Sequence, residues 1–436
     1  MSIALLSGLI IAVVLVVLLL LGIPIAIALG ISSILAILPT LNFDAAILTG
    51  AQRTFSGISV FTLIAIPFFV LAGNIMNKGG IAIRLINFAK ILTGRVPGAL
   101  AHTNSVANMM FGAISGSGVA AASAMGSMIG PIAEKDGYDR DYMATINIST
   151  APTGLLIPPS NVLITYSLVS GGTSVAALFM AGYIPGILWG VGCMFVAWFI
   201  ARRKGYYSKQ RVTLSQALKI TLEAIPSLLL ILIVIGGIIA GIFTATEGSV
   251  VAVAYSLILS LFFYKTIKVR DLYVIFKESA EMTGIIVFLI GVSSIMAWVM
   301  AFTGIPSAIS ESLLSISNNR IIILLIINIV LLFVGTFMDI TPAILIFTPI
   351  FLPICSSFGM SPIQFGIMIT LNLCIGTITP PVGNILFVGV KVAKTKIENV
   401  MKKLIPYYIA IFIVLMLTTY VPKVSMWLPL LMGYKK

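Results

Sequence analysis

The sequence predicts an all-α integral membrane protein: about ten transmembrane helices and two re-entrant helical hairpins, set out as two inverted repeats. Three observations carry this. The chain of 436 residues is 59% hydrophobic and only 9% charged. Its apolar runs are long enough for spanning helices, which excludes an outer-membrane barrel. Its basic residues sort to one side of those runs, and its second half repeats the first after about 222 residues.

Taken in order, the spanning runs lie at roughly 3–21, 24–38, 60–76, 140–160, 175–201, 224–243, 247–264, 280–301, 361–383 and 404–422. The first is not a cleaved leader. It has no basic n-region and no good small-residue cleavage site, and it runs on through Pro24 into Ile25–Leu38. A short arm follows at 42–56. Two further apolar regions, 98–131 and 320–353, are long and rich in small or helix-breaking residues. Both are read as hairpins that enter and leave the same face.

Charge sets the orientation. Loops 77–97, 132–141, 202–223, 265–278 and 384–403 hold all but five of the 26 Lys and Arg residues. Counting each hairpin as no crossing puts all five loops on one side. Arg53, Arg320, Lys423, Lys435 and Lys436 fall on the other. The positive-inside rule then places both termini outside. The net charge of +13 belongs to these loops rather than to a nucleic-acid surface.

The repeat carries Pro131 onto Pro353, Gly137 onto Gly359, and Pro158-Pro159 onto Pro380-Pro381. Five crossings per half is an odd number, so the second copy is upside down. The first repeat is read as 1–205, with scaffold helices 3–38, arm 42–56, hairpin 98–131 and broken helix 140–160. A cytoplasmic linker, 206–223, leads to the second at 224–427, with scaffold helices 224–264, hairpin 320–353 and broken helix 361–383. The hairpin tips then converge near the midplane.

The broken helices hold the candidate chemistry. In Asn147–Asn161, Pro152, Gly154 and the Pro158-Pro159 pair remove amide donors and disfavour helix. Asn372–Asn384 repeats the pattern. Unwound backbone at membrane depth is tolerated where protein buries it or where it lines a polar cavity, and paired breaks of this kind point to a binding site. Ser115, Gly116 and Ser117 cluster at the first hairpin's turn. Facing the segment from Gly154 to Ile157 and Pro158, they could supply five or six hard oxygens to a monovalent cation. Gly112/Gly116 and Gly126/Gly130 also form GxxxG pairs, and close packing explains those glycines; it does not explain the serines.

The matching tip reads Gly335-Thr336-Phe337-Met338-Asp339. Asp339 is the one acidic residue placed deep in the membrane, where a carboxylate costs about 2.5–3.5 kcal/mol on insertion scales. Gly376, Thr379 and the carbonyls before Pro380 and Pro381 are its expected partners; capping the following helix is the other reading. Asn161 and Asn384 each follow a Pro-Pro break, at a helix start suited to a carboxylate, or merely cap there. With Ser117 they complete the candidate substrate contacts. His102 reads as structural, Arg53 as an interfacial residue that snorkels, and Cys193, Cys355 and Cys374 as small core residues without a disulfide.

Enzymatic chemistries find no support. No P-loop, no HExxH and no GxSxG or SxxK motif is present.

Ala65–Met76, Gly112–Ser117, Gly154–Ser160, Gly335–Asp339 and Thr377–Gly383 together resemble the large membrane subunit of the tripartite ATP-independent periplasmic (TRAP) transporters, over essentially the whole chain. The resemblance implies a sodium-driven importer of carboxylate-bearing solutes in the bacterial inner membrane, with an ion-transporter-like fold and an elevator mechanism. It implies two partners: an extracytoplasmic solute-binding protein and a separate small four-helix membrane subunit. By matching position, one sodium site takes Ser115, Gly154, Ile157 and Pro158. The other takes Gly335, Gly376, Thr379 and Val382. No cofactor beyond Na+ is expected. The competing reading is a stand-alone divalent-anion/sodium symporter that needs no binding protein.

Overall fold

A computed structural model describes residues 2–94, 96–207 and 213–434. Arg95, Lys209, Arg211, Lys435 and Lys436, used above to orient the chain, lie outside the described residues. Among the described residues the regular structure is helical. Among the described residues nine helices are long and apolar enough to cross a membrane.

The N-terminal part runs through α1 (Ile3–Leu20), α2 (Ile25–Ile37), the arm α3 (Phe43–Ile58) and α4 (Ala65–Lys78). Helix α5 (Ile81–Thr93) occupies what the sequence suggests is a loop. Its apolar residues Ile81, Leu85, Ile86 and Ala89 are buried while Arg84 and Lys90 sit on the other side of the helix. An amphipathic helix of this length looks like a charged loop to a hydropathy window.

Helices α6 (Ala99–Ser115) and α7 (Gly118–Lys135) form the first hairpin, turning at Gly116 and Ser117. Gly116 adopts φ +62°, a region that side chains rarely enter, and Ser117 accepts from Ala120 N at 3.2 Å to start α7. The first broken helix follows: α8 (Arg140–Thr150), a 3-10 turn over Ala151–Leu155, then α9 (Asn161–Val169) and the long α10 (Val175–Lys204).

The second half opens with α11 (Leu214–Ile239), α12 (Ala245–Ile258) and α13 (Val269–Thr303). Both α11 and α13 begin about ten residues before their apolar runs, because Lys, Glu and Gln are good helix formers. The linker 206–223 and the loop 265–278 are therefore partly helical. A short α14 (Ile305–Ile316), absent from the sequence reading, precedes the second hairpin, α15 (Arg320–Phe337) and α16 (Ile340–Ser357), which turns at Met338-Asp339. Then come α17 (Pro362–Gly376), α18 (Asn384–Val392), α19 (Ile397–Tyr420) and a final α20 (Pro422–Leu431). The spans read at 140–160 and 361–383 are thus shorter helices, ending at Thr150 and Gly376 where the prolines begin.

Helices α2, α3 and α13 pack together, as do α1 with α2 and α12 with α4. Arg53 lies 5.1 Å over the Trp298 ring, and Asn74 donates to Ser279 Oγ at 2.8 Å between α4 and α13. Both hairpins pack against the broken helices and α10 or α13. At one end Lys403 donates to Asp139 at 2.9 Å and Asp141 at 3.1 Å, tying the connection before α8 to α19. Cys193, Cys355 and Cys374 are free and buried. His102 is buried with Nε2 3.0 Å from Pro97 O.

Candidate functional site

A helix carbonyl accepts from the amide four residues on, and Pro158 and Pro159 have no N–H to give to Gly154 and Leu155. Leu155 O instead accepts from the Ser160 hydroxyl at 2.5 Å. Gly154 O has no such substitute and accepts nothing among the described residues, nor do Ile157 O and Pro158 O. Pro158 thus leaves Gly154 O without a donor, and the unwound chain beyond it leaves Ile157 O and Pro158 O without one among the described residues.

Gly154 meets the first hairpin backbone to backbone. A Cβ at Gly154 would lie 2.2 Å from Gly112 Cα, so only glycine fits. Farther along, Gly116 lies against Asn161, whose Nδ2 would be 2.6 Å from an added Cβ. Ser115 sits between these two contacts, donating to Ser117 O at 3.3 Å.

The second half repeats the arrangement. Pro380 and Pro381 cannot donate to Gly376 O and Thr377 O. Thr379 N serves the first at 3.0 Å, and Ile385 N serves the second at 3.0 Å. A Cβ at Gly376 would fall 2.3 Å from Gly335 C, so these backbones touch too. Val382 N and Gly383 N both donate to Thr336 O, at 3.2 and 3.4 Å, pinning the unwound segment to the hairpin. Gly335 O and Val382 O accept no hydrogen bond among the described residues. Thr379 donates its hydroxyl to Ile375 O at 2.8 Å and keeps lone pairs to offer.

Asn161 and Asn384 are not caps. The N-caps are Ser160, which accepts from Leu163 N at 3.4 Å, and Gly383; each asparagine is the first helical residue after its cap. Ser and Asn cap about equally well, so the sequence could not choose between neighbours. Asn384 is released for another contact: Nδ2 donates to Asp339 Oδ1 at 3.3 Å. Asp339 does cap α16, accepting from Ile340 N at 2.9 Å. Its side-chain partners are Ile340 N and Asn384, not Gly376 or Thr379.

The halves interlock. An added Cβ at Gly118, just past Ser117, would be 2.4 Å from Ile385 Cδ1, beside Asn384. Helix α16 packs on α9, and Cys374 Sγ lies 3.9 Å from Pro152 O where the broken helices touch. The four candidate substrate residues therefore stand at two tips that share neighbours. The eight candidate ion residues flank them in two sets.

Two buried amide networks hold this frame, and the sequence reading gave them no role. Asn108 Nδ2 lies within 2.9–3.3 Å of Asn104 Oδ1, Asn147 O, Asn147 Oδ1 and Thr150 Oγ1. In the other half Asn372 donates to Asn328 O at 3.0 Å and Asn328 Oδ1 at 2.8 Å. The available signal was an asparagine in an apolar helix, which has to find a partner.

The family model for the tripartite ATP-independent periplasmic transporter DctM component matches residues 12–424. An uncharacterized protein of Salmonella typhimurium, YgiK, is 53% identical over 94% of both chains. The sialic acid TRAP transporter large permease protein SiaM of Vibrio cholerae is 36% identical, over 88% of this chain and 90% of that one. The C4-dicarboxylate TRAP transporter large permease protein DctM of Rhodobacter capsulatus is 37% identical, over 98% of this chain and all of that one. Among solved structures, the Alcanivorax borkumensis YdaH transporter superposes with a TM-score of 0.64 over 90% of both chains at 13% identity, a likeness of fold.

Proposed function

The chain belongs to the DctM family, the large permeases of tripartite ATP-independent periplasmic transporters, and from that membership we propose that it is a sodium-coupled importer of a small carboxylate. It is a multi-pass transport protein of the inner membrane, not an enzyme. Its family works with a small membrane subunit and a periplasmic binding protein. The two relatives' named solutes, sialic acid and C4-dicarboxylates, share the carboxylate group, which suits the helix starts at Asn161 and Asn384.

The observation that carries sodium coupling is the set of donorless carbonyls at Gly154, Ile157, Pro158, Gly335 and Val382. Gly154, Pro158 and Gly335 are buried, and a buried carbonyl without a donor is costly. A hard monovalent cation relieves that cost, with Ser115 and Thr379 hydroxyls and Gly376 completing the two sets. No group of His, Cys, Asp or Glu that could hold a metal occurs among the described residues, and oxygen-only donors suit an alkali cation. Sodium filling both sets draws hairpin and broken helix together and shapes the cleft around Ser117, Asn161, Asp339 and Asn384.

Sodium coupling is energetically sufficient. With two Na+ per monocarboxylate, one net charge enters, worth about 2.3 kcal/mol per 100 mV. A tenfold gradient adds about 1.4 kcal/mol per ion. The sum, roughly 5 kcal/mol, supports several-thousandfold accumulation. In the elevator reading, the hairpins and broken helices move together as a transport unit against α1–α3 and α11–α13, with both termini outside.

The test is uptake into vesicles holding the chain and its small subunit, with the cognate binding protein loaded with labelled solute. An inward sodium gradient is expected to drive accumulation, and an equal potassium gradient is not. Uptake that proceeds equally without the binding protein would favour the stand-alone symporter; uptake indifferent to sodium would remove the coupling.

A further inference from the structure

We propose a second anion site, separate from the hairpin tips, that binds a small hydroxylated carboxylate at the end of the molecule bearing the lysine-rich segment 384–403. A cavity of about 420 Å³ lies there between α6, α7, α8 and the end of α18. None of the twelve candidate ion and substrate residues lines it. Its walls include Asn104, Ser127, Glu134, Arg140, Asn147 and Lys394.

Two of the polar groups lining the space, Asn104 and Lys394, have hydrogen-bond donors to spare. Asn104 is 1% exposed. Its carbonyl oxygen is taken by Asn108 at 2.9 Å, and its NH2 donates to nothing among the described residues. Asn147 cannot serve instead, since its NH2 is given to Ala122 O at 2.7 Å. Ser127 lies on the wall as well, but its hydroxyl donates to Ala124 O at 3.0 Å, so it is not a donor to the space. Arg140 is held by Glu134 at 2.6 and 3.1 Å, so that pair contributes no net charge. Lys394 makes no ion pair among the described residues and supplies the uncompensated positive charge.

The backbone keeps Lys394 there at a conformational cost. Thr395 N donates to Val390 O at 3.2 Å and Lys394 N to Lys391 O at 3.1 Å. This is the helix-ending motif in which the left-handed residue is usually glycine. Lys394 takes that position with φ +50°, where a side chain is unfavourable. Arg140 donates to Lys394 O at 3.4 Å and steadies the turn. A buried amide donor and an unpaired ammonium around one space select a carboxylate bearing hydroxyl groups. By the orientation proposed above this cavity opens to the cytoplasm, and there it serves as an exit site for the solute. That role rests on the transport reading; the binding does not.

The experiment therefore uses no sodium and no transport. The full chain carrying Ser127→Cys, in lipid nanodiscs and potassium buffer, is labelled with a neutral maleimide; its three native cysteines are buried. The probe is gluconate. With the Kd of about 1 mM expected of a ligand of roughly a dozen heavy atoms, 10 mM should slow labelling about tenfold. The same concentration of phosphate or chloride should slow it little. Adding Lys394→Gln should abolish the protection while the introduced thiol still labels. No protection by gluconate, protection unchanged by Lys394→Gln, or equal protection by phosphate would each overturn the site.

Discussion

Gly154→Ala and Gly376→Ala are each expected to destabilise the protein by about 3 kcal/mol or more, and to abolish transport. Overpacking usually costs about 1–3 kcal/mol because neighbouring side chains shift. Here the obstruction is backbone: Gly112 C and Cα at 2.2 Å in one case, Gly335 C at 2.3 Å in the other. Backbone on both sides leaves no rotamer to change, so the hairpin itself has to move off the broken helix. Gly130→Ala is the control. Nothing lies within 4 Å of a Cβ at Gly130, and alanine is the better helix former by up to about 1 kcal/mol. Thermal unfolding of the three purified variants separates the outcomes. Melting points as high as wild type for Gly154→Ala and Gly376→Ala would mean that these crossings are not close.

Asn108→Leu is expected to cost about 2 kcal/mol and to loosen the first hairpin selectively. The Asn108 amide has two hydrogens and four oxygens within reach. Removing it leaves Asn147 Oδ1 and Thr150 Oγ1 facing leucine. A single intramembrane hydrogen bond averages about 0.6 kcal/mol; acceptors orphaned inside protein cost about 1–3 kcal/mol. The second figure governs, because Asn108 and Thr150 are 0% exposed and neither water nor lipid headgroups reach them. Hydrogen exchange should quicken in α6 and α8 and stay unchanged in α15 and α17. Uniform quickening, or none, would deny the network its local role.

Much of this was legible in the sequence for a definite reason. Proline removes a donor whatever surrounds it, so Pro152, Pro158 and Pro380 mark where the helices break before any packing is known. The apolar runs likewise give α1, α2 and α10 to within three residues at each end. Reading failed where the signal is relational. Helix α5 carries its charges on one face, and a linear window averages them into a loop. Ser160 and Asn161 are equally good caps on paper, and the Ser160 hydroxyl wins because it also satisfies Leu155 O. The pairing of Asn108 with Asn147, 39 residues away, has no periodicity to reveal it. Nothing in the letters around Lys394 says that a helix ends there in a left-handed turn.

The central claim is that cations draw each hairpin onto its broken helix, and the melting temperature of the purified chain in sodium against potassium chloride tests it most directly. At 100 mM Na+ and a Kd of about 10 mM, each occupied site adds about 1.4 kcal/mol. Sodium should therefore raise the midpoint by a few degrees over potassium or choline at equal ionic strength. Superimposable unfolding curves in all three salts would contradict it.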